Sequence, residues 1–338
     1  MPPGSGSAGG VERFAESLLP ELRRRADVVA VRVHPQAGQS RAEGLINGVS
    51  ALWRAHSKQR LDAVFSTFHY PPAMIPGVPM LGFIHDLRGH GLQSTVDSSD
   101  WMRISPAAWR IRALVRTFSR VLVPSSHVRR DVEWLCRSAT VVAVGEGVDH
   151  LHPVLSPEHV VAPRNKVVVI GGNRPHKRVG LGLAAGAMVA RQSDYDVHLV
   201  GGRGGMAIPS GVRHAEGYLD DAELSALLRQ TAVVIAPTSY EGFGLAVGEG
   251  LWAGASIVHA RDCSLHGLVG DAGVGVEPVA GAMAQHALAL AGQDSRRVQR
   301  ALCQARRWTW GQTAERVLEQ CAEATQSPPA TVTRYPEC

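Results

Sequence analysis

The chain has 338 residues, 45% of them hydrophobic and 19% charged, which is too long for one ordinary domain, fits two of about 150–200 residues each, and is too apolar for a disordered protein. Its formal net charge is +5, most of it in residues 1–160; a nucleic-acid binder shows a denser basic patch, and the figure suits an anionic small molecule or a membrane surface. The five cysteines, Cys136, Cys263, Cys303, Cys321 and Cys338, form no C-x-x-C pair, which argues against a disulfide scaffold or zinc finger and fits a reducing cytoplasm.

In chain order, Met1-Pro2-Pro3 leads into the Gly/Ser run Gly4-Ser5-Gly6-Ser7-Ala8-Gly9-Gly10, with no hydrophobic strand before it. No basic segment followed by an apolar one opens the chain in the manner of a signal peptide. An amphipathic helix is expected over 11–25, then strands over 28–33, 63–66 and 79–84. A helix over 107–120 is followed by strands over 121–124 and 141–144. Residues 103–130 hold seven arginines, read either as a surface for anionic lipid or acceptor or as a solvated helix face. Pro153, Pro157 and Pro163 crowd 149–165 and mark a domain boundary. Further strands are expected at 166–170, 197–200, 233–236 and 256–259, and helices at 222–230 and 280–291. The best apolar run, 181–190, is about half the length of a bilayer span. Short apolar Val/Ile runs alternating with helices predict α/β architecture with doubly wound parallel sheets. The expected division is 1–155 and 156–325, two halves with a cleft between them, and a disordered tail over 326–338. Ligands of such folds bind at the carboxyl ends of the strands.

The sharpest constellation follows the strand at 233–236: Glu241-Gly242-Phe243-Gly244-Leu245, with Glu249 eight residues after Glu241. A helix starting near Phe243–Gly244 would point free N–H groups at a phosphate or sugar oxygen. Two carboxylates beside it suit the paired donors of vicinal hydroxyls. After the strand at 166–170, Gly172-Asn173-Arg174-Pro175-His176-Lys177 offers two cations for a diphosphate. His85 and Asp86 end the strand at 79–84, and His69 follows the strand at 63–66 as a weaker candidate. Two signals are discounted. Asp194-Tyr195-Asp196 matches a metal-binding D-x-D but precedes its strand, the wrong end for a cleft. Gly201-Gly202-Arg203-Gly204-Gly205 lacks the lysine-serine ending of a phosphate loop and reads as a mobile loop.

The two acids with Gly-Phe-Gly-Leu resemble the signature of the retaining glycosyltransferases of family 4, which have the GT-B fold, and the Asn173–Lys177 turn resembles their mannosyltransferase-like branch. Ile84-His85-Asp86-Leu87, Gly147-Val148-Asp149 and Trp310-Gly311-Gln312-Thr313-Ala314 resemble further segments of that family in the same order. The resemblance implies an acceptor-binding N-terminal domain and a nucleotide-sugar-binding C-terminal domain with a crossover helix. It implies transfer of a mannose- or glucose-type hexose from a GDP- or UDP-linked donor to a glycan, lipid or small-molecule alcohol, with retention and with neither metal nor cofactor. It assigns Lys177 and Arg174 to the diphosphate, Glu241 to the donor sugar and Glu249 to the ribose. The backbone of Gly242, Phe243, Gly244 and Leu245 falls at sugar and phosphate, Gly217 and Tyr218 at the base, and His85 near the sugar. His69 and Asp86 would face the acceptor. Gly9 and Gly10 resemble the family's glycine-rich loop, which normally follows a first strand; the N-terminal sheet is therefore expected to lack that strand, or the true start lies upstream of Met1. The expected location is the cytoplasm, with a peripheral contact at the inner membrane face through residues 103–130.

Three positions depart from the family pattern: Ala246 replaces a common proline, Gly250 an alanine, and Leu265-His266-Gly267-Leu268 lacks the acid of Leu-Pro-Glu-Val. These keep two other readings open, a non-catalytic GT-B-like partner protein and a GT-B-fold nucleotide-sugar epimerase.

Overall fold

The computed structural model describes residues 10–31, 41–67, 74–87, 106–151, 164–214, 219–292 and 295–326. The expectations at Gly9, His69, Gly217, Tyr218, residues 1–8 and the tail after 326 lie outside them. The chain divides into two compact units, Met1–Arg13 with Glu146–Gln312, and Phe14–Gly145 with Thr313–Cys338.

In the second of these, β1 (Val64–Ser66), β2 (Met80–Phe83), β3 (Arg120–Val123) and β4 (Val141–Ala143) form one parallel sheet in the order β1-β2-β3-β4. Its helices are α1 (Gly10–Arg23), whose residues up to Arg13 belong to the other unit, α2 (Arg41–Gln59), α3 (Pro106–Val115) and α4 (Ser126–Leu135). The helix α1 buries Phe14, Leu18 and Leu22, a four-residue spacing that places all three on one helical face. The core joins Ile84, Ile111, Val121, Val123, Val128 and Val132. Residues 28–31 of the expected strand at 28–33 carry no ladder, and Val29 is 42% exposed. An apolar run that finds no neighbour to pair with gains nothing from strand geometry.

The other unit is built on a six-stranded parallel sheet ordered β10-β9-β8-β5-β6-β7. The strands are β5 (Lys166–Ile170), β6 (Asp196–Val200), β7 (Val212–His214), β8 (Thr231–Ala236), β9 (Ser256–Ala260) and β10 (Gly273–Val276). The central β8 is buried at all six positions, as expected for a strand covered on both faces. Between the strands lie α5 (Val179–Gln192), α6 (Asp221–Arg229), α7 (Leu245–Trp252) and α8 (His266–Val269), and after them α9 (Ala280–Leu290) and α10 (Ser295–Ala305). The last helix, α11 (Trp310–Gln326), starts where the sequence places it. Thr309 and Gln312 cap it reciprocally, Gln312 N donating to Thr309 Oγ1 at 3.2 Å and Thr309 N to Gln312 Oε1 at 3.3 Å. Aliphatic residues of β5, β6, β8, α5 and α9 fill one face of this sheet, and those of β8, β9, α7 and α8 the other.

Candidate functional site

The strands β5, β6 and β8 end side by side, and their loops are hydrogen-bonded to one another. Gly172 N donates to the Gly202 carbonyl at 2.6 Å, and Gly204 N to Asn173 Oδ1 at 3.2 Å. The glycine loop 201–205 is therefore fastened to the turn that follows β5. That turn closes as a 3-10 segment, Pro175–Lys177, with Arg174 exposed at its start. The stem of Lys177 lies across Gly172, where an added Cβ would meet Lys177 Cγ at 2.7 Å. Thr238 Oγ1 and Ser239 N, in the loop after β8, both donate to the His176 carbonyl, at 3.1 and 2.9 Å. The two loops thus hold Lys177 and Glu241 in one register. Lys177 Nζ donates to Glu241 Oε1 at 2.7 Å.

The loop after β8 ends at Gly244, which sits in the left-handed region with φ of 101° and caps the start of α7. A side chain there would be strained, and its Cβ would meet Leu265 Cδ2 at 2.5 Å. The first-turn amides of α7 have no partners inside the helix. One turn further on, Glu249 is buried, and its Oε1 accepts from His150 Nε2 at 2.9 Å. Among the described residues, Oε2 of Glu241 and Oε2 of Glu249 have no hydrogen-bond partner. Each acid therefore has an oxygen left for a hydroxyl donor. Gly10, the first residue of α1, belongs to the same unit, and a Cβ there would lie 3.8 Å from Leu245 Cδ1.

The structure accounts for one of the three departures, Gly250. At Gly250 a Cβ would sit 2.8 Å from Val234 Cγ2, so alanine would need the strand to give way. At Gly267 a Cβ would meet nothing within 4 Å, so the space for the missing acid is open. Ala246 is exposed in the first turn of α7, and nothing in the structure explains its replacement of proline.

His85 and Asp86 belong to the four-stranded unit. His85 Nε2 donates to the Thr67 carbonyl at 3.2 Å, with the Phe83 ring 4.6 Å and the Phe14 ring 5.0 Å away, centroid to centroid. Of the arginines over 103–130, Arg112 donates to the Leu135 carbonyl, Arg120 pairs with Glu323 and Arg129 with Glu133. Arg110, Arg116 and Arg130 are exposed, as is Trp109. The discounted Asp196 opens β6, and both its oxygens are occupied, Oδ1 by Arg213 and Oδ2 by His198 and Lys166. Among the described residues no group of three His, Cys, Asp or Glu is placed to hold a metal ion. No described helix is long and apolar enough to cross a membrane.

Sequence reasoning missed His150. An imidazole after Gly-Val-Asp carries no pattern of its own. Its position, directly after a segment already singled out, was the only available signal.

Residues 164–293 match the family described as Glycosyl transferases group 1. Over 98 residues the chain is 35% identical to the O-antigen chain mannosyltransferase B of Escherichia coli, a stretch covering 28% of this chain and 26% of that protein. Among solved structures, HepE of Anabaena in complex with UDP and glucose aligns with a TM-score of 0.68 at 16% identity, over 94% of this chain and 97% of that one. The sucrose-phosphate synthase of Thermosynechococcus elongatus aligns with a TM-score of 0.67 at 16% identity, over 95% of both chains. The protein thus has the GT-B fold. Within its six-stranded unit, residues 164–293 are similar to a glycosyl transferases group 1 domain.

Proposed function

We propose that the chain is a hexosyltransferase that moves a mannose- or glucose-type sugar from a nucleoside diphosphate to an alcohol, with retention of configuration. The observation that carries this reading is the Lys177–Glu241 pair, 2.7 Å apart, at the strand ends beside the start of α7. An ammonium and a carboxylate held there match the two ends of a sugar diphosphate. On donor binding Lys177 passes from Glu241 to the diphosphate, and Glu241 then accepts from a sugar hydroxyl. Arg174 adds a second cation, Glu249 takes the ribose hydroxyls, and the amides of Phe243, Gly244 and Leu245 meet sugar and phosphate oxygens.

In the transfer the bond between the anomeric carbon and the phosphate oxygen breaks and leaves its electron pair on phosphate. Lys177 and Arg174 stabilise that charge. The acceptor oxygen bonds the same face of the anomeric carbon, and its proton goes to the leaving phosphate oxygen. No protein nucleophile and no metal enter this scheme. His85 and Asp86 are assigned to sugar and acceptor. In this reading 1–155 is the acceptor domain and 156–325 the donor domain. The similarity to an O-antigen mannosyltransferase and to a UDP-bound glycosyltransferase-fold protein supports a nucleotide-sugar donor. An acceptor built at the inner membrane face would use the exposed Trp109, Arg110 and Arg116 as its approach.

The test is donor turnover with UDP- and GDP-linked mannose and glucose. Lys177→Ala is expected to lower kcat/KM by about 100-fold or more, the usual loss of a charge-stabilising group. A wild type that neither binds nor turns over any of these donors would overturn the enzyme reading and leave the partner-protein reading standing.

A further inference from the structure

We propose that His150 is a positioning residue that sets the plane of the Glu249 carboxylate for the nucleotide ribose. This rests on the reading above, in which Glu249 takes the ribose hydroxyls. A buried carboxylate needs donors to stay charged and to stay in one orientation. Among the described residues Glu249 has one, His150 Nε2 at 2.9 Å on Oε1. Because a carboxylate only accepts, the imidazole carries its proton on Nε2. The bond leaves Oε2 and one lone pair of Oε1 for a vicinal diol.

His150 is itself held in place. Val148 N donates to the Trp308 carbonyl at 3.0 Å, and Trp310 N donates to Asp149 Oδ1 at 2.8 Å. Gly147 lies so close to Trp310 that an added Cβ would meet its N at 2.3 Å. Val148 fills the space over Gly248, the residue before Glu249, where an added Cβ would meet Val148 Cγ1 at 2.3 Å. The segment Gly147–His150 is therefore pinned on both sides and cannot swing away from α7. The imidazole pays for its place: Nδ1 is buried without a hydrogen-bond partner among the described residues. An apolar side chain would fill the same space without that loss. What the imidazole supplies instead is its bond to Glu249.

The experiment is calorimetric titration of the full chain with UDP and GDP and with their 2′,3′-dideoxy counterparts, beside donor kinetics. His150→Ala is expected to weaken the better ribonucleotide about tenfold, as for a lost hydrogen bond to a charged group. Its effect on the dideoxy nucleotide is expected to stay within about twofold, with KM raised and kcat nearly unchanged. His150→Gln, whose amide can donate, restores most of the affinity. Should the alanine variant not fold, His150→Phe, which keeps the volume without the donor, takes its place. Equal losses on ribo and dideoxy nucleotides, no loss at all, or no rescue by glutamine would overturn the positioning role while nucleotide binding by the wild type stands. A wild type that binds neither UDP nor GDP overturns the functional reading itself, and this inference with it.

Discussion

The two ends of the six-stranded sheet treat carboxylates differently. At the entry to β6, Asp196 is saturated: Arg213 takes one oxygen at 2.8 Å, and His198 at 2.9 Å and Lys166 at 3.4 Å share the other. At the exits of β5 and β8, Glu241 and Glu249 each meet a single partner on a single oxygen. A carboxylate with both oxygens paired is a local fastener with nothing left to offer. A half-satisfied, largely buried one keeps acceptor capacity at the cost of incomplete pairing, and that cost is the mark of a site awaiting a donor of hydrogen bonds. The difference also shows why D-x-D spacing alone misleads: Asp196 has the right residue type at the wrong end of its strand.

Neutralising one acid from each end tests the contrast most directly. Glu241→Gln is expected to lower donor kcat/KM by about 10- to 100-fold, because a hydrogen bond to a charged group is lost. Asp196→Asn is expected to leave kcat/KM within about twofold, since its partners Lys166, His198 and Arg213 all lie at or near the strand entries, away from the loops that carry Lys177 and Glu241. Equal losses in both variants would erase the distinction between the two ends.

A third charge sharpens it by being purely structural. Arg164 is buried, and its guanidinium donates to the Thr231 carbonyl at 2.6 Å and to the Ala253 carbonyl. Burial lowers its pKa to about 10, so it is still protonated at neutral pH. Arg164→Met is expected to lower unfolding free energy by about 1–3 kcal/mol through two unpaired carbonyls, with donor affinity unchanged. Denaturant unfolding and nucleotide titration on one variant separate the two effects. A change in affinity without a change in stability would move Arg164 into the site.

Much of this was readable before the structure. The strand at 166–170 falls where expected, and those at 233–236 and 256–259 extend by one or two residues, because continuous Val/Ile runs leave few alternatives. The acids at 241 and 249 were legible because helix periodicity and the Gly-x-Gly break between them fix their spacing. Strand β10 was missed because it alternates glycine with valine; Gly273 lies so close to β9 that an added Cβ would meet the Ile257 carbonyl at 2.2 Å. Glycine chosen for close approach carries no β signal. β7 was missed because Val212–His214 is short and half polar. The ion pairs were not legible, since Lys177 and Glu241 are 64 residues apart and meet only through loops. His150 is 99 residues from Glu249 and belongs with it for the same reason.

The smallest expected effect concerns the saturated end. Burial pushes the Asp196 carboxyl up, but the close His198 imidazole and the charges of His198, Arg213 and Lys166 outweigh it, so the group titrates below its ordinary value of 3.8. A carboxylate whose pKa is lower in the folded than in the unfolded chain stabilises the fold above the unfolded value. That contribution is lost as pH falls through the folded one. Side chains of Asp196 and Arg213 are 23% and 73% exposed, so solvent screening holds the contribution to about 0.2–1 kcal/mol. Wild type and Asp196→Asn unfolded in parallel should therefore differ slightly at pH 6 and converge below about pH 4. A difference that persists undiminished at low pH would mean that Asp196 acts through packing or neutral hydrogen bonds rather than charge. The saturated end would then be no electrostatic fastener, and the contrast with Glu241 and Glu249 would rest on those two acids alone.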